Sequence, residues 1–243
     1  MRTIVLGYIH ANLHALTACW ELAQSEGFDR IFHTGDVVGY GAFPNECVAF
    51  LRERNIPGVR GNFDDNIGND GDESGAVVPA SNGDEQALVE SSFQWTLAQI
   101  EPIPKRWLAD LPFEAREVAD GHTIAVYHAS PFDMRTTLEP DASDSRFEEV
   151  GQAARADIVV TGHRHKAFHR SLNRRHYIAA GSVGRPADGD PRTGFAVIQT
   201  GGPAEGEVKV EFRRLPYDLD AAADGLKRRG VPAELATRLT RGI

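Results

Sequence analysis

Side chains that can bind metal ions stand just beyond five short apolar or β-branched runs in the first two-thirds of the chain. His10 follows residues 2–8, Asp36 follows 30–34 and Asn62 follows 58–60. His128 ends the run 123–128, and His163 with His165 follow 158–161. Imidazoles and carboxylates of this kind suit first-row transition metals, and one carboxylate, such as that of Asp36, can bridge two ions. A single histidine at a strand end is ordinarily a packed polar group. Gly-Asp and Gly-Asn after a strand are common turns, because Asp and Asn tolerate left-handed backbone. Five such positions in succession say more than any one of them. The sequence has neither a Walker-type phosphate loop nor a Gly-x-Ser-x-Gly nucleophile turn, which removes two competing hydrolase mechanisms.

The elements that must position these groups follow from periodicity. Residues 2–8 predict a strand, 13–25 a helix, 30–34 a strand, 35–43 a glycine-rich loop, 44–54 a helix opened by Pro44, and 58–60 a strand edge. This alternation implies parallel strands with crossover helices, whose sites gather at the carboxyl ends of the strands. Residues 66–83, rich in Gly, Asp, Asn and Ser, predict an exposed loop. Helices are expected over 85–100, 104–109 and 145–155, a hairpin over 113–128 turning at Asp120-Gly121, and a buried strand over 158–161. Short strands and turns fill 168–212, and the Ala-rich stretch 219–241 predicts one or two amphipathic helices. The periodicity supports an α/β fold.

The order Ile9-His10, Gly35-Asp36, Gly61-Asn62, His128 and Gly162-His163-Arg164-His165 resembles the signature of the calcineurin-like metallophosphoesterase superfamily. The similarity extends to Gly39-Tyr40-Gly41, Pro44-Asn45-Glu46, Val59-Arg60 and the segment from Gly181 to Pro186, and is nearest to the compact bacterial and archaeal branch. The resemblance implies two mixed β-sheets packed as a sandwich between helices, in a single domain over 1–243 with 219–243 as a C-terminal helical tail. It also implies two divalent or mixed-valence transition metal ions, with Mn first and Fe, Zn, Ni or Mg as alternatives. His10 and His165 would hold the first ion, Asn62, His128 and His163 the second, and Asp36 would bridge them, which makes Asp36, Asn62 and His128 central to catalysis. A water bridging the ions would be acidified and attack phosphorus in line with the departing alcohol. Arg60, Arg164 and Arg185 are candidates for contact with the phosphate, since guanidinium pairs with it bidentately.

Two positions depart from the family pattern. Tyr8 stands where the family places a metal-binding aspartate, and a neutral phenol is a poor ligand for Mg²⁺, Mn²⁺ or Zn²⁺. Either the first ion is held weakly, or it is one that accepts a phenolate, such as ferric iron, so Tyr8 remains a candidate ligand. Phe63 stands where many members place a histidine that assists the leaving group, and it cannot donate a proton. Asp64 and Asp65 read as a solvated acidic turn.

The 243 residues are 41% hydrophobic and 25% charged, within the range of ordinary globular proteins. A net charge of −9 opposes a chain that wraps nucleic acid, which requires clustered Lys and Arg. A small phosphoester is the expected partner. No membrane span or signal-type apolar run occurs, and the two cysteines, Cys19 and Cys47, fall in predicted helices, which together point to the cytoplasm. The expected activity is a metal-dependent phosphoesterase, a phosphodiesterase or a phosphatase. The alternative is a catalytically impaired metal- or ligand-binding protein that keeps the fold.

Overall fold

A computed structural model describes residues 1–69, 71, 83–202 and 206–243. The first sheet has the order β2-β1-β8-β9, built from Arg30–His33 (β2), Arg2–Leu6 (β1), Thr193–Thr200 (β8) and Val208–Leu215 (β9). β1 and β2 are parallel, while β8 pairs antiparallel with both β1 and β9. The second sheet has the order β3-β4-β5-β7-β6, from Glu114–Ala119 (β3), His122–Tyr127 (β4), Ile158–Thr161 (β5), Arg175–Ala179 (β7) and Phe168–Leu172 (β6). Its centre, β4-β5-β7, is parallel, and both edge strands are antiparallel.

Strand alternation explains the layering. In β1, Ile4 and Leu6 join the core shared with Leu13–Glu26 (α1) and Pro44–Glu53 (α2), whereas Val5 points the other way. There it meets Val126, Val160 and Ile178 of the second sheet, so the two sheets pack face to face. The outer face of the second sheet, through Tyr127, Val159 and Tyr177, packs on Asp144–Ala154 (α6). The order of layers is helices, sheet, sheet, helix, as the resemblance implied.

The main departure from the sequence reading lies after β2. Residues Asn62–Gly68 form a short helix (α3) whose Asn66 and Ile67 are buried, so the predicted exposed loop does not begin at 66. The remainder of that expectation, residues 70 and 72–82, lies outside the described residues. Gly83–Gln99 (α4) and Pro102–Ala109 (α5) follow as expected. The C-terminal stretch forms a helix pair, Leu219–Arg228 (α7) and Ala233–Arg241 (α8), with Asp218 capping α7 by accepting from Ala221 N–H at 2.9 Å. The pair packs through Leu226 and Leu235 against Ala42 and Phe43. Gly225 permits this contact, because a β-carbon there would stand 2.6 Å from the Phe43 ring. Cys19 and Cys47 are free, buried thiols in α1 and α2. Among the described residues no helix is long and apolar enough to cross a membrane.

Candidate metal centre

The carboxyl ends of β1, β2, β4 and β5 and the start of α3 bring His10, Asp36, Asn62, His128, His163 and His165 to one place. The loops after β1 and β2 are tied by backbone bonds from His10 N to Asp36 O at 2.9 Å and from Ala11 N to Val37 O at 2.8 Å. Gly61 lets the carboxylate approach closely, since a β-carbon there would lie 2.2 Å from Asp36 Oδ1. Of twelve non-glycine residues with positive φ among those described, seven are here: Tyr8, His10, Ala11, Asp36, Tyr40, His163 and His165. Backbone strain of this kind costs of order 1–3 kcal/mol per residue, and it persists where the surrounding structure over-determines the geometry, as at functional sites.

Three of the imidazoles are fixed as a single tautomer. Nδ1 of His10 faces Val38 O at 3.1 Å, Nδ1 of His128 faces Thr34 O at 2.8 Å, and Nδ1 of His165 faces Arg185 O at 2.7 Å. A carbonyl can only accept, so each Nδ1 carries the proton and each Nε2 presents a lone pair. Those lone pairs point inward, towards one another and towards Asp36, Asn62 and His163. His10 Nε2 lies 3.3 Å from His165 Nε2, and His128 Nε2 lies 3.0 Å from both Asn62 Oδ1 and His163 Nδ1. Asp36 Oδ2 is 3.8 Å from His10 Nε2 and 3.5 Å from His128 Nε2.

Protonation of the imidazoles does not relieve this crowding. Burial, then the Arg185 charge, push His10 well below the usual imidazole range, and burial with the charges of His10 and Arg185 does the same to His165. Burial lowers His128 to about 4 and His163 to about 3. Burial also pushes the Asp36 carboxyl up, against the hydrogen bond from Phe63 N–H at 3.0 Å. Imidazoles on which protonation is disfavoured, around a carboxyl whose ionised form burial disfavours, gain from a cation that supplies the missing positive charge. Asp36, His128 and His163 each offer a ligand atom within 4.8 Å of the others.

A family model for the calcineurin-like phosphoesterase superfamily domain matches residues 1–202. The chain belongs to this superfamily. Its members are mainly hydrolytic phosphoesterases and generally bind two divalent metals. A Sphaerobacter thermophilus metallophosphoesterase of known structure is 26% identical, with a TM-score of 0.76 and coverage of 100% of this chain and 99% of that one. A Pyrococcus horikoshii protein, 20% identical with a TM-score of 0.81 over 100% of this chain and 98% of its own, has the same fold. An uncharacterized protein of Methanocaldococcus jannaschii is 29% identical over 98% of this chain and 97% of its own length.

The two departures from the superfamily pattern have definite placements. The Tyr8 ring stacks on His165, with centroids 4.3 Å apart and planes at 17°, and its buried Oη makes no hydrogen bond. Burial and the Asp36 charge hold the phenol well above its usual pKa, outweighing the pull of the Arg164 and His165 backbone. The phenol is therefore neutral in the metal-free protein. Phe63 is buried edge-on to His10 at 5.5 Å and beside Tyr40 at 5.0 Å. Asp64 is not part of a solvated turn. It is fully buried and accepts from the N–H groups of Val37 at 2.8 Å, Val38 at 3.3 Å and Gly61 at 3.0 Å, bracing the loop that carries Asp36 against the start of α3. Nothing in the sequence beyond its place after Asn62 distinguished it from Asp65.

The arginines divide. Arg60 is engaged by Ala109 O at 2.7 Å and lies 3.3 Å from Asp65, so its guanidinium is committed to α5 and α3. Arg164 is exposed and pairs with Glu139 at 2.9 Å. Arg185 stacks over Tyr40 at 4.4 Å, and no carboxylate among the described residues pairs with it. It borders, with His10, a cleft whose far wall is α7 and α8. The C-terminal helical tail, to which the sequence reading gave no part in the site, thus reaches the rim of the cluster. On the opposite rim, Asp133 and Arg135 border a second depression with Asn62, for which the sequence held no signal. His14 packs edge-on to Phe43 at 5.3 Å, and His169 and His176 meet at 3.0 Å between β6 and β7.

Proposed function

We propose that the chain is a metal-dependent phosphoester hydrolase. One observation carries the reading: ligand atoms of Asp36, Asn62, His128 and His163 converge, with the Nε2 lone pair of His128 aimed into them, beside a second facing pair from His10 and His165. Asn62, His128 and His163 would hold one ion, His10 and His165 another, and Asp36 would be shared; Mn is the first candidate, with Fe, Zn, Ni or Mg as alternatives. Bound there, such ions supply Lewis-acid charge to the phosphoryl oxygens and acidify water. The chain's own groups do the rest. Arg185, a cation without an acidic partner among the described residues, draws the anionic ester to the His10 side of the cluster. Phe63 offers no proton to the departing oxygen, so esters of acidic alcohols, which leave as anions, are the suitable substrates. Two buried free thiols suit a reducing compartment, in keeping with a cytoplasmic enzyme.

A second reading, a metal- or ligand-binding protein with little catalysis, is favoured by Tyr8, which supplies no carboxylate and leaves the His10 side with two neutral imidazoles and a share of Asp36. Metal analysis after reconstitution with Mn²⁺, together with hydrolysis of bis(p-nitrophenyl) phosphate, separates the two. The enzyme reading expects two equivalents and turnover that disappears with a chelator. One equivalent or none, without turnover, would establish the second reading instead.

A further inference from the structure

We propose that the cleft between the His10 side of the cluster and α7–α8 receives a compact apolar group, aryl or branched alkyl, of the phosphoester whose phosphoryl end meets the cluster. This rests on the phosphoesterase reading above. The cleft is narrow and partly open to solvent, and its walls come from Tyr40, Phe43, Ala222, Leu226, Leu235 and Leu239. His10 and Arg185 stand at one end. Arg185, which has no acidic partner among the described residues and stands between the cluster and an apolar wall, calls for an anion at that junction and for hydrocarbon beyond it.

The polar groups of the cleft explain why the group is hydrocarbon rather than a nucleobase. Asn12 Nδ2 donates to Gly184 O at 3.0 Å and to Tyr217 Oη at 3.2 Å, while its Oδ1 accepts from Ala15 N–H at 3.1 Å. Ala42 O accepts from Arg229 at 3.0 Å, and Phe43 N–H donates to Ala11 O at 3.0 Å. Arg238 is neutralised by Glu234 at 3.0 Å and Glu85 at 3.6 Å. A base entering there would leave its own donors and acceptors unpaired, which costs about 1–3 kcal/mol for each group. An aryl ring meets Tyr40 and Phe43 instead. The match to the superfamily ends at residue 202, before α7, so this wall lies outside the part of the chain that defines the family.

The test measures binding without turnover. Calorimetry on the Mn²⁺-loaded full chain compares phenylphosphonate with methylphosphonate, two non-hydrolysable probes that share an anionic head. Phenylphosphonate is expected to bind about tenfold tighter, the ratio that burying part of a ring gives. Leu239→Trp, which fills the cleft, should bring that ratio to about one. Leu239→Ala, a variant that does not crowd the fold, should shift the preference from phenyl towards naphthylphosphonate. Equal affinity of the wild type for phenyl and methyl probes would overturn this inference while leaving the phosphoesterase reading standing. A phenyl preference that survives both substitutions would overturn the location. If neither phosphonate bound, both readings would fall together.

Discussion

The hydroxyl of Tyr8 lies under the backbone of Gly162, so close that a β-carbon on Gly162 would stand 2.1 Å from Oη. The phenol thereby reaches past the position of a shorter carboxylate and props the loop that carries His163 and His165, with its ring against His165 at 4.3 Å. Glycine at 162 and tyrosine at 8 are thus sterically matched. The position that departs most from the superfamily pattern has become a packing contact.

Replacing Tyr8 by phenylalanine should stabilise the metal-free protein by about 1 kcal/mol, because it removes a buried hydroxyl that has no partner. Bound metal should be unchanged. Tyr8→Asp should instead raise Mn²⁺ affinity on the His10 side by restoring a charged ligand, at the cost of a cavity beneath Gly162. Chemical denaturation and metal titration of the two variants check this. Loss of a metal equivalent and of a visible absorption band in Tyr8→Phe would show that the phenolate is a ligand after all.

Asp36→Asn should weaken metal binding more than His165→Ala does, and by more than the roughly 10- to 100-fold typical of an outer-shell change. Asp36 Oδ2 faces both His10 and His128, so its charge serves both sides of the cluster. The same change should leave the metal-free protein at least as stable, since burial already disfavours the ionised carboxylate and Asn retains an acceptor for Phe63 N–H. Equal losses in the two variants, measured by competition with a chromophoric chelator, would remove Asp36 from its bridging role.

The sequence made the strands and the candidate metal-binding groups that follow them legible because both depend on short-range pattern. Apolar runs such as those at 2–8 and 158–161 specify strands, and parallel strands put their following residues at one edge. Asp64 and the tail were not legible, and for a physical reason. Whether an aspartate in an acidic pair is solvated or buried depends on which backbone N–H groups surround it in three dimensions, and Val37 and Val38 are distant in sequence. The closeness of α7–α8 to His10 likewise depends on long-range packing through Gly225 and Phe43, which no local spacing encodes.

Acidification should weaken the metal-free protein, and His33 isolates one part of the effect. Burial lowers this imidazole to about 3, and its Nδ1 accepts from Gly35 N–H at 3.3 Å while Nε2 has no partner. Its folded-state pKa lies below the unfolded value of about 6.5, so the unfolded chain takes up the extra proton between those limits. Stability attributable to His33 is complete above about pH 6.5 and falls by about 1.4 kcal/mol per pH unit below it, until about pH 3. His33→Gln keeps an acceptor and removes the titration. Urea denaturation between pH 7 and 5 should show a slope shallower by about 1 kcal/mol per pH unit on average, and an unchanged slope would mean that His33 is not neutral in the folded protein.

Asp64 should prove a positioning residue for the cluster although it offers it no ligand atom. Its two oxygens are used up by three backbone N–H groups, which fix the loop after Asp36 to the residue before Asn62. Asp64→Ala leaves those buried donors unpaired and should cost about 3 kcal/mol or more. Asp64→Asn preserves the volume but turns an amino group towards one set of donors, so it recovers only part of that loss. If Asp64 acted only through stability, a metal titration carried out well inside the folded range of each variant would give the wild-type affinity. The expected result is weaker binding in both variants, in the order Ala weaker than Asn, because Asp36 and Asn62 lose the strut that holds them in register. Wild-type affinity in a folded Asp64→Ala protein would assign the carboxylate to folding alone.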